Sequence, residues 1–211
     1  MERVDSASMD LPTDSLPTRH SLIEEARSKP DGQAWEELLK HYEPFIDKIL
    51  LMLGLRGADL EDVRQQVLLK LWRGLDAYRR DDGRARFRNW LSTLIRNTAI
   101  DWFRARERGR RHDSLAESVG LDMESPEIER QIEEEWQKHI LAIALQNLRQ
   151  VFSGKAMRVF SLSLNGESPE EIAASLDLRL ESVYVLKTRV KTRLTREIAR
   201  LRLDLEGMSD D

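Results

Sequence analysis

An all-α protein is what this sequence predicts, and three observations predict it. Apolar residues recur at three- and four-residue steps through most of the chain, the spacing of one helix face. Leu, Arg and Glu are abundant, while 211 residues hold only 10 glycines and 6% aromatics, a balance that favours helices. The breaks carry helix punctuation: Asn165-Gly166 closes one periodic run and Ser168-Pro169-Glu170-Glu171 opens the next. A 40% hydrophobic fraction is enough for modest cores, and the length suits one large or two small domains. The expected architecture is two small helical domains joined by a flexible acidic linker.

Residues 1–17 are polar, with Pro12 and Pro17, and read as a disordered tail. A helical pattern starts at Leu22 to Arg27 and breaks at Lys29-Pro30-Asp31-Gly32. It resumes from Gln33 to Leu53, where Trp35, Leu38, Leu39, Tyr42, Phe45, Ile46, Ile49 and Leu50 line one face. Pro44 either kinks this helix or starts a new segment. After a connection at 54–58, Asp59 is the expected N-cap, with Glu61 and Asp62 in the favourable first turn. That helix should run to about Tyr78, burying Leu60, Val63, Val67, Leu71, Leu75 and Tyr78. Its other stripe is Asp62, Gln65, Gln66, Leu69 and Arg73. A carboxylate, two amides, a leucine and an arginine suit a protein partner; taken by themselves they suit an ordinary solvated face better.

Residues 79–86 (RRDDGRAR) form a polar loop with a turn at Gly83. It leads into Phe87, Trp90, Leu91, Leu94, Ile95, Thr98 and Trp102, one apolar stripe among Arg84, Arg86, Arg88, Arg96, Arg104, Arg106, Arg108, Arg110 and Arg111. Arginine forks bind phosphate and aromatic rings stack on unpaired bases, so the stretch reads as a nucleic-acid surface. The alternative is an amphipathic core helix with a solvated basic end.

From His112 to Glu135 the chain turns acidic, with Gly120 and Ser125-Pro126 as punctuation. A flexible tether is expected here, passing into a helix after about Ile128. Trp136, Ile140, Ile143, Ala144 and Leu148 form the inward face of that helix, and Ser153-Gly154 opens another. Ser168 to Glu171 is a capping box with Pro at the first helical position. A tight turn at 177–180 then leads to a long basic helix. A short helix, tight turn and longer basic helix make a helix-turn-helix. On the last helix Val183, Leu186, Val190, Leu194 and Ile198 form the buried seam. Arg179, Ser182, Tyr184, Val185, Thr188, Arg189 and Lys191 are the candidates for reading and holding DNA. A bundle helix with a solvated basic face is the alternative.

The net charge of -4 does not advertise nucleic-acid binding, so that role rests on local asymmetry. With no cysteine there are no disulfides or thiolate metal sites, which fits a reducing cytosol. His20, His41, His112 and His139 are scattered, and no glycine-rich phosphate loop or catalytic constellation occurs. No metal, no cofactor and no enzymatic activity are therefore expected. No apolar run is long enough to span a bilayer and no signal peptide opens the chain, so a soluble, cytoplasmic protein is expected.

Residues 59–72 (DLEDVRQQVLLKLW) resemble the D-x-E-D-x-x-Q-E-x-F-x-x-x-W signature of bacterial sigma factors. Residues 87–101 (FRNWLSTLIRNTAID) resemble their F-x-x-W-L-x-x-I-x-x-N-x-x-x-D element. The short chain is similar to the extracytoplasmic-function class, which keeps regions 2 and 4. The resemblance implies region 2 over 18–111, an acidic linker over 112–131, region 4 over 132–206 and a tail over 207–211. It implies that Asp62, Gln65, Gln66, Leu69 and Arg73 grip the clamp of the largest RNA polymerase subunit. Arg84, Arg86, Arg88, Arg96, Asn97 and Arg104 would meet the -10 element, where a non-template base is captured from the stack. Region 4 would bind the -35 element and the flap of the second subunit, and the linker would thread the active-site channel. An anti-sigma factor joins the partners to consider, though no residue identifies one. Gln66 departs from the usual glutamate, Asp177 from glycine, Arg179 from a serine cap, and Tyr184-Val185-Leu186 from Lys-Ser-Arg. A stand-alone helix-turn-helix regulator and a helical scaffold without a nucleic-acid role are the other readings.

Overall fold

The computed structural model describes residues 22–28, 32–76, 78, 87–110 and 125–206, apart from the side chains of 109, 110 and 206. Every regular element among them is a helix: α1 Leu22–Ser28, α2 Gln33–Met52, α3 Gly57–Gly74, α4 Phe87–Arg110, α5 Pro126–Val151, α6 Gly154–Leu164, α7 Pro169–Leu176 and α8 Leu180–Glu206. The expected disordered tail, the 79–86 loop with Arg84 and Arg86, most of the acidic linker and the last residues lie outside the described residues.

The N-terminal four helices pack as the apolar periodicity requires. Helix α2 runs unbroken through Pro44 and buries Leu38, Tyr42, Phe45, Ile46, Ile49 and Leu50. Proline removes one helical hydrogen bond, and the buried residues on either side hold the helix in place. Helix α3 begins at Gly57 with Arg56 at the N-cap, so Asp59 is a first-turn residue rather than the cap expected. The reason is backbone chemistry at the connection: Gly54 and Gly57 take φ of 92° and 54°, which glycine adopts without strain. The helix also ends at Gly74, short of Tyr78. A Cβ at Gly74 would lie 3.1 Å from the Trp90 ring, so the missing side chain lets α3 and α4 approach closely.

The C-terminal helices build the expected helix-turn-helix. Ser168 caps α7: its Oγ accepts from the Glu171 N–H at 3.3 Å, and Glu171 Oε2 accepts from the Ser168 N–H at 2.8 Å. Asp177 ends α7 in the left-handed conformation, φ 51°, where the family pattern has glycine. One small core of Val159, Ile172, Leu176 and Val183 and another of Leu148, Ala156, Phe160 and Val190 hold this unit together.

Helix α5 begins at Pro126, with the Ser125 Oγ accepting from the Ile128 N–H. Residues 126–131, read from sequence as tether, are thus its first turns. The helix also joins the two halves. Ile128, Ile132, Trp136 and Ile140 sit in the same buried cluster as Tyr42, Phe45, Phe87 and Leu91, together with Leu201 and Leu205 of α8. Trp136 is fully buried, stacked on Tyr42 with centroids 5.7 Å apart at 12° and edge-on to Phe45 at 4.9 Å. The Tyr42 hydroxyl donates to the Leu205 carbonyl, and the His139 Nε2–H donates to the His41 carbonyl at 2.7 Å. The halves are therefore docked on a common core. The physical reason is the length of the α5 stripe: its first four apolar turns lie beyond the small cores of the helix-turn-helix and need other cover.

Candidate nucleic-acid and partner interfaces

Three exposed helix faces carry the candidate residues. The first is on α3. Val63, Val67 and Leu71 turn inward and are fully buried. The same periodicity therefore turns Asp62, Gln65, Gln66, Leu69 and Arg73 outward, and all five are exposed. Among the described residues none of them has a hydrogen-bond or ion-pair partner. Trp72, 45% exposed, lies on the same stripe three residues after Leu69. Sequence reasoning used Trp72 only as part of a motif. An exposed tryptophan beside an exposed leucine is the stronger mark of a protein-binding face.

The second face is on α4. Phe87, Leu91, Ile95, Thr98 and Ala99 are buried, while Trp90, Leu94 and Trp102 are partly so. Asn97 and Arg104 are exposed without a partner among the described residues. The other two described candidates differ. Arg88 lies toward the buried side at 7% exposure, bonded to Glu133 of α5 and to the Asn89 side chain at 3.0 Å. Arg96 keeps 14% of its side chain exposed and pairs with Glu129 of α5 at 3.3 Å. Between α4 and α5 lies an open cleft of about 300 Å³, lined by Arg88, Ser92, Arg96, Glu129, Ile132 and Glu133. Farther along, Arg106 lies 4.9 Å over the Trp102 ring and pairs with Asp59 at 2.7 Å. Glu129 and Glu133 were not singled out from the sequence beyond their part in an acidic run. The available signal was their four-residue spacing in phase with Ile128 and Ile132.

The third face is on α8. Val183 and Val190 are fully buried, with Leu186 packed against the clusters of both, Leu194 against that of Val190, and Ile198 against the large core. Tyr184 and Val185 stand out at 49% and 54% exposure. Arg179, Thr188, Arg189 and Lys191 are exposed and Ser182 is half-buried. Among the described residues no carboxylate neutralises Arg179, Arg189 or Lys191. Farther along, α8 is tied to the body of the protein. Glu197, buried, accepts from Asn147 of α5 at 2.8 Å and from Arg200 at 2.6 Å. Burial alone would raise its pKa, yet the bonds from Arg200 and Asn147 hold it below the ordinary value.

Among the described residues no three His, Cys, Asp or Glu side chains are grouped so as to hold a metal ion, and no helix is long and apolar enough to cross a membrane.

Residues 38–109, which carry the first two faces, match the family model for Sigma-70 region 2. The ECF RNA polymerase sigma factor RpoE of Cereibacter sphaeroides is 29% identical over 84 residues. That stretch is 40% of this chain and 45% of the relative, so the match spans about half the length of the curated protein. The solved structure of CnrH in complex with the cytosolic domain of CnrY has 20% identity and a TM-score of 0.34, covering 85% of this chain and 96% of that one.

Proposed function

The chain belongs to the extracytoplasmic-function group of the sigma-70 family, and from that premise we propose that it is a dissociable promoter-recognition subunit of RNA polymerase. The α3 face docks on the clamp of the largest subunit. Helix α4, with the residues just before it, engages the -10 element and supports strand opening. Helix α8 lies in the major groove of the -35 element, with region 4 also meeting the flap of the second subunit. The polymerase supplies the chemistry, and this chain supplies the address.

The observation that carries the reading is the α3 face. Six neighbouring side chains, Asp62, Gln65, Gln66, Leu69, Trp72 and Arg73, stand exposed inside the stretch that matches region 2. A free DNA-binding regulator could work with α8 alone and would have no use for this face. A helical scaffold would have no use for Arg189 and Lys191, which no carboxylate neutralises among the described residues.

The test is retention of purified core polymerase by the chain, followed by run-off transcription from a randomised promoter library. Core retention and selection of a two-part promoter are expected. Asp62→Ala with Gln65→Ala should depress run-off without changing the free chain's affinity for DNA. Failure to retain core enzyme would overturn the proposal.

A further inference from the structure

A helix lying in a DNA groove meets the base edges with the side chains opposite its buried seam. On α8 those side chains are short and carry methyl groups. We propose that α8 reads thymine 5-methyl groups in the major groove of the -35 element, with Val185 and Thr188 making the contacts, while Arg189 and Lys191 hold the flanking phosphates. The inference rests on the docking of α8 given above and adds the base feature that is recognised.

The geometry follows from the helical period. Val183 and Val190, fully buried, fix the inward direction. At 3.6 residues per turn, Val185 stands about 200° round from Val183, Thr188 about 140° and Thr192 about 180°. All three are exposed. Val185 keeps 54% of its surface open, and a branched hydrocarbon gains nothing from water there. Val185 and Thr188 also lie near the start of α8, the part of a recognition helix that reaches base edges. The cations lie to either side of this line, Arg189 at about 240° and Lys191 at about 80°. Both are exposed, and among the described residues no carboxylate neutralises either. A line of methyl groups between two basic flanks suits a groove with base edges for its floor and phosphates along its rims.

Side-chain chemistry then selects the base feature. Guanine is read by Arg or Lys at O6 and N7, and adenine by Asn or Gln at N6 and N7. None of those four residue types stands on the line of Glu181, Val185, Thr188 and Thr192. Glu181 only accepts, so it has no bond to offer guanine O6 or N7. Among the four DNA bases, thymine projects a methyl group into the major groove, and aliphatic side chains and the threonine methyl are its complements. Tyr184, 49% exposed, stands about 100° round, on the Lys191 side. Its hydroxyl suits a phosphate or sugar oxygen rather than a base edge.

The test uses holoenzyme formed from the full chain and core polymerase, bound to a promoter taken from the randomised library. Affinity is read by competition with a fluorescein-labelled copy of that promoter. The selected -35 element should contain T·A pairs. Uracil in place of thymine deletes the 5-methyl group and keeps the pairing edge and the charge. Burying one methyl group is worth about fourfold in affinity. Each contacted thymine should therefore cost about fourfold on conversion to uracil, with the salt slope unchanged. Uracil at thymines between the two promoter elements should cost nothing. Val185→Ala and Thr188→Ser, both at exposed positions, should each bind the thymine promoter more weakly, lose the uracil penalty at one position and keep the parent's salt slope. Three results would overturn the thymine reading and leave promoter recognition intact. They are a -35 element insensitive to uracil, a penalty that persists in both variants, or an element defined by guanines whose preference disappears in Arg189→Ala. Failure of the chain to retain core enzyme would overturn promoter recognition itself, and the thymine reading with it.

Discussion

Replacing Trp136 with alanine should uncouple the two halves of the molecule. The indole is fully buried and touches residues from both sides of the chain: Tyr42 stacked at 5.7 Å, Phe45 edge-on at 4.9 Å, and His139 at 5.6 Å. Burying about 200 Å² of tryptophan at about 25 cal/mol per Å² contributes about 5 kcal/mol. Residual compactness of the unfolded chain lowers that to about 3–4 kcal/mol, within the usual cost of deleting a core tryptophan. At about 1.4 kcal/mol per decade, docking of α5 would weaken by two to three orders of magnitude. Urea unfolding followed by circular dichroism, with small-angle scattering in buffer, reads this out. The parent should unfold in one transition and scatter as a closed particle. The variant should lose about 3–4 kcal/mol, split into two transitions and show a larger radius of gyration. A loss under about 1 kcal/mol with unchanged scattering would refute the claim that Trp136 fastens the halves together.

Three further outcomes are expected. Burial lowers the pKa of both His41 and His139, with Glu37, Lys40, Arg200 and Asp204 also acting on His41, and the His41 carbonyl and ring acting on His139. Below 6.5 the unfolded chain therefore takes up more protons than the folded one, and stability falls as pH drops from 6.5 through the folded values while being complete above it. Urea midpoints at about pH 7.5 and about pH 5.5 should differ, and the difference should shrink in His139→Gln; an unchanged difference would remove His139 from the interface's pH response. Ser168→Ala should cost about 1 kcal/mol by losing the capping box, seen as faster amide exchange in α7 before any loss elsewhere. Arg189→Ala should weaken binding to random duplex DNA and reduce the salt slope by about 0.9, and an unchanged slope would move α8 away from the phosphates.

The local devices of the fold were readable residue by residue. Ser168 and Glu171 announced their capping box, and Val183 and Val190 announced the seam of α8, because each depends on neighbours three or four positions away. Ser125-Pro126-Glu127 carries the same start signal as Ser168-Pro169-Glu170, yet the acidic run around it made the segment read as a tether. The start of α3 was misplaced because Asp59 is an attractive cap, whereas two positive-φ glycines set the actual connection. On α4 the periodic stripe was correct, but Arg88 falls on its buried side.

What the amino-acid order determined by itself was the helices, most of their buried stripes, and the three outward faces that carry the functional reading. All follow from a period of 3.6 residues and from chemistry within a turn or two. What only the tertiary structure decided was which stripes meet. Trp136 had to be buried, but nothing near it in the chain says that its neighbours are Tyr42 and Phe45, more than ninety residues away. The partners of Glu129 and Glu133 are set the same way. A charge run looks alike whether it faces water or a row of arginines, and docking on a shared apolar core determines which.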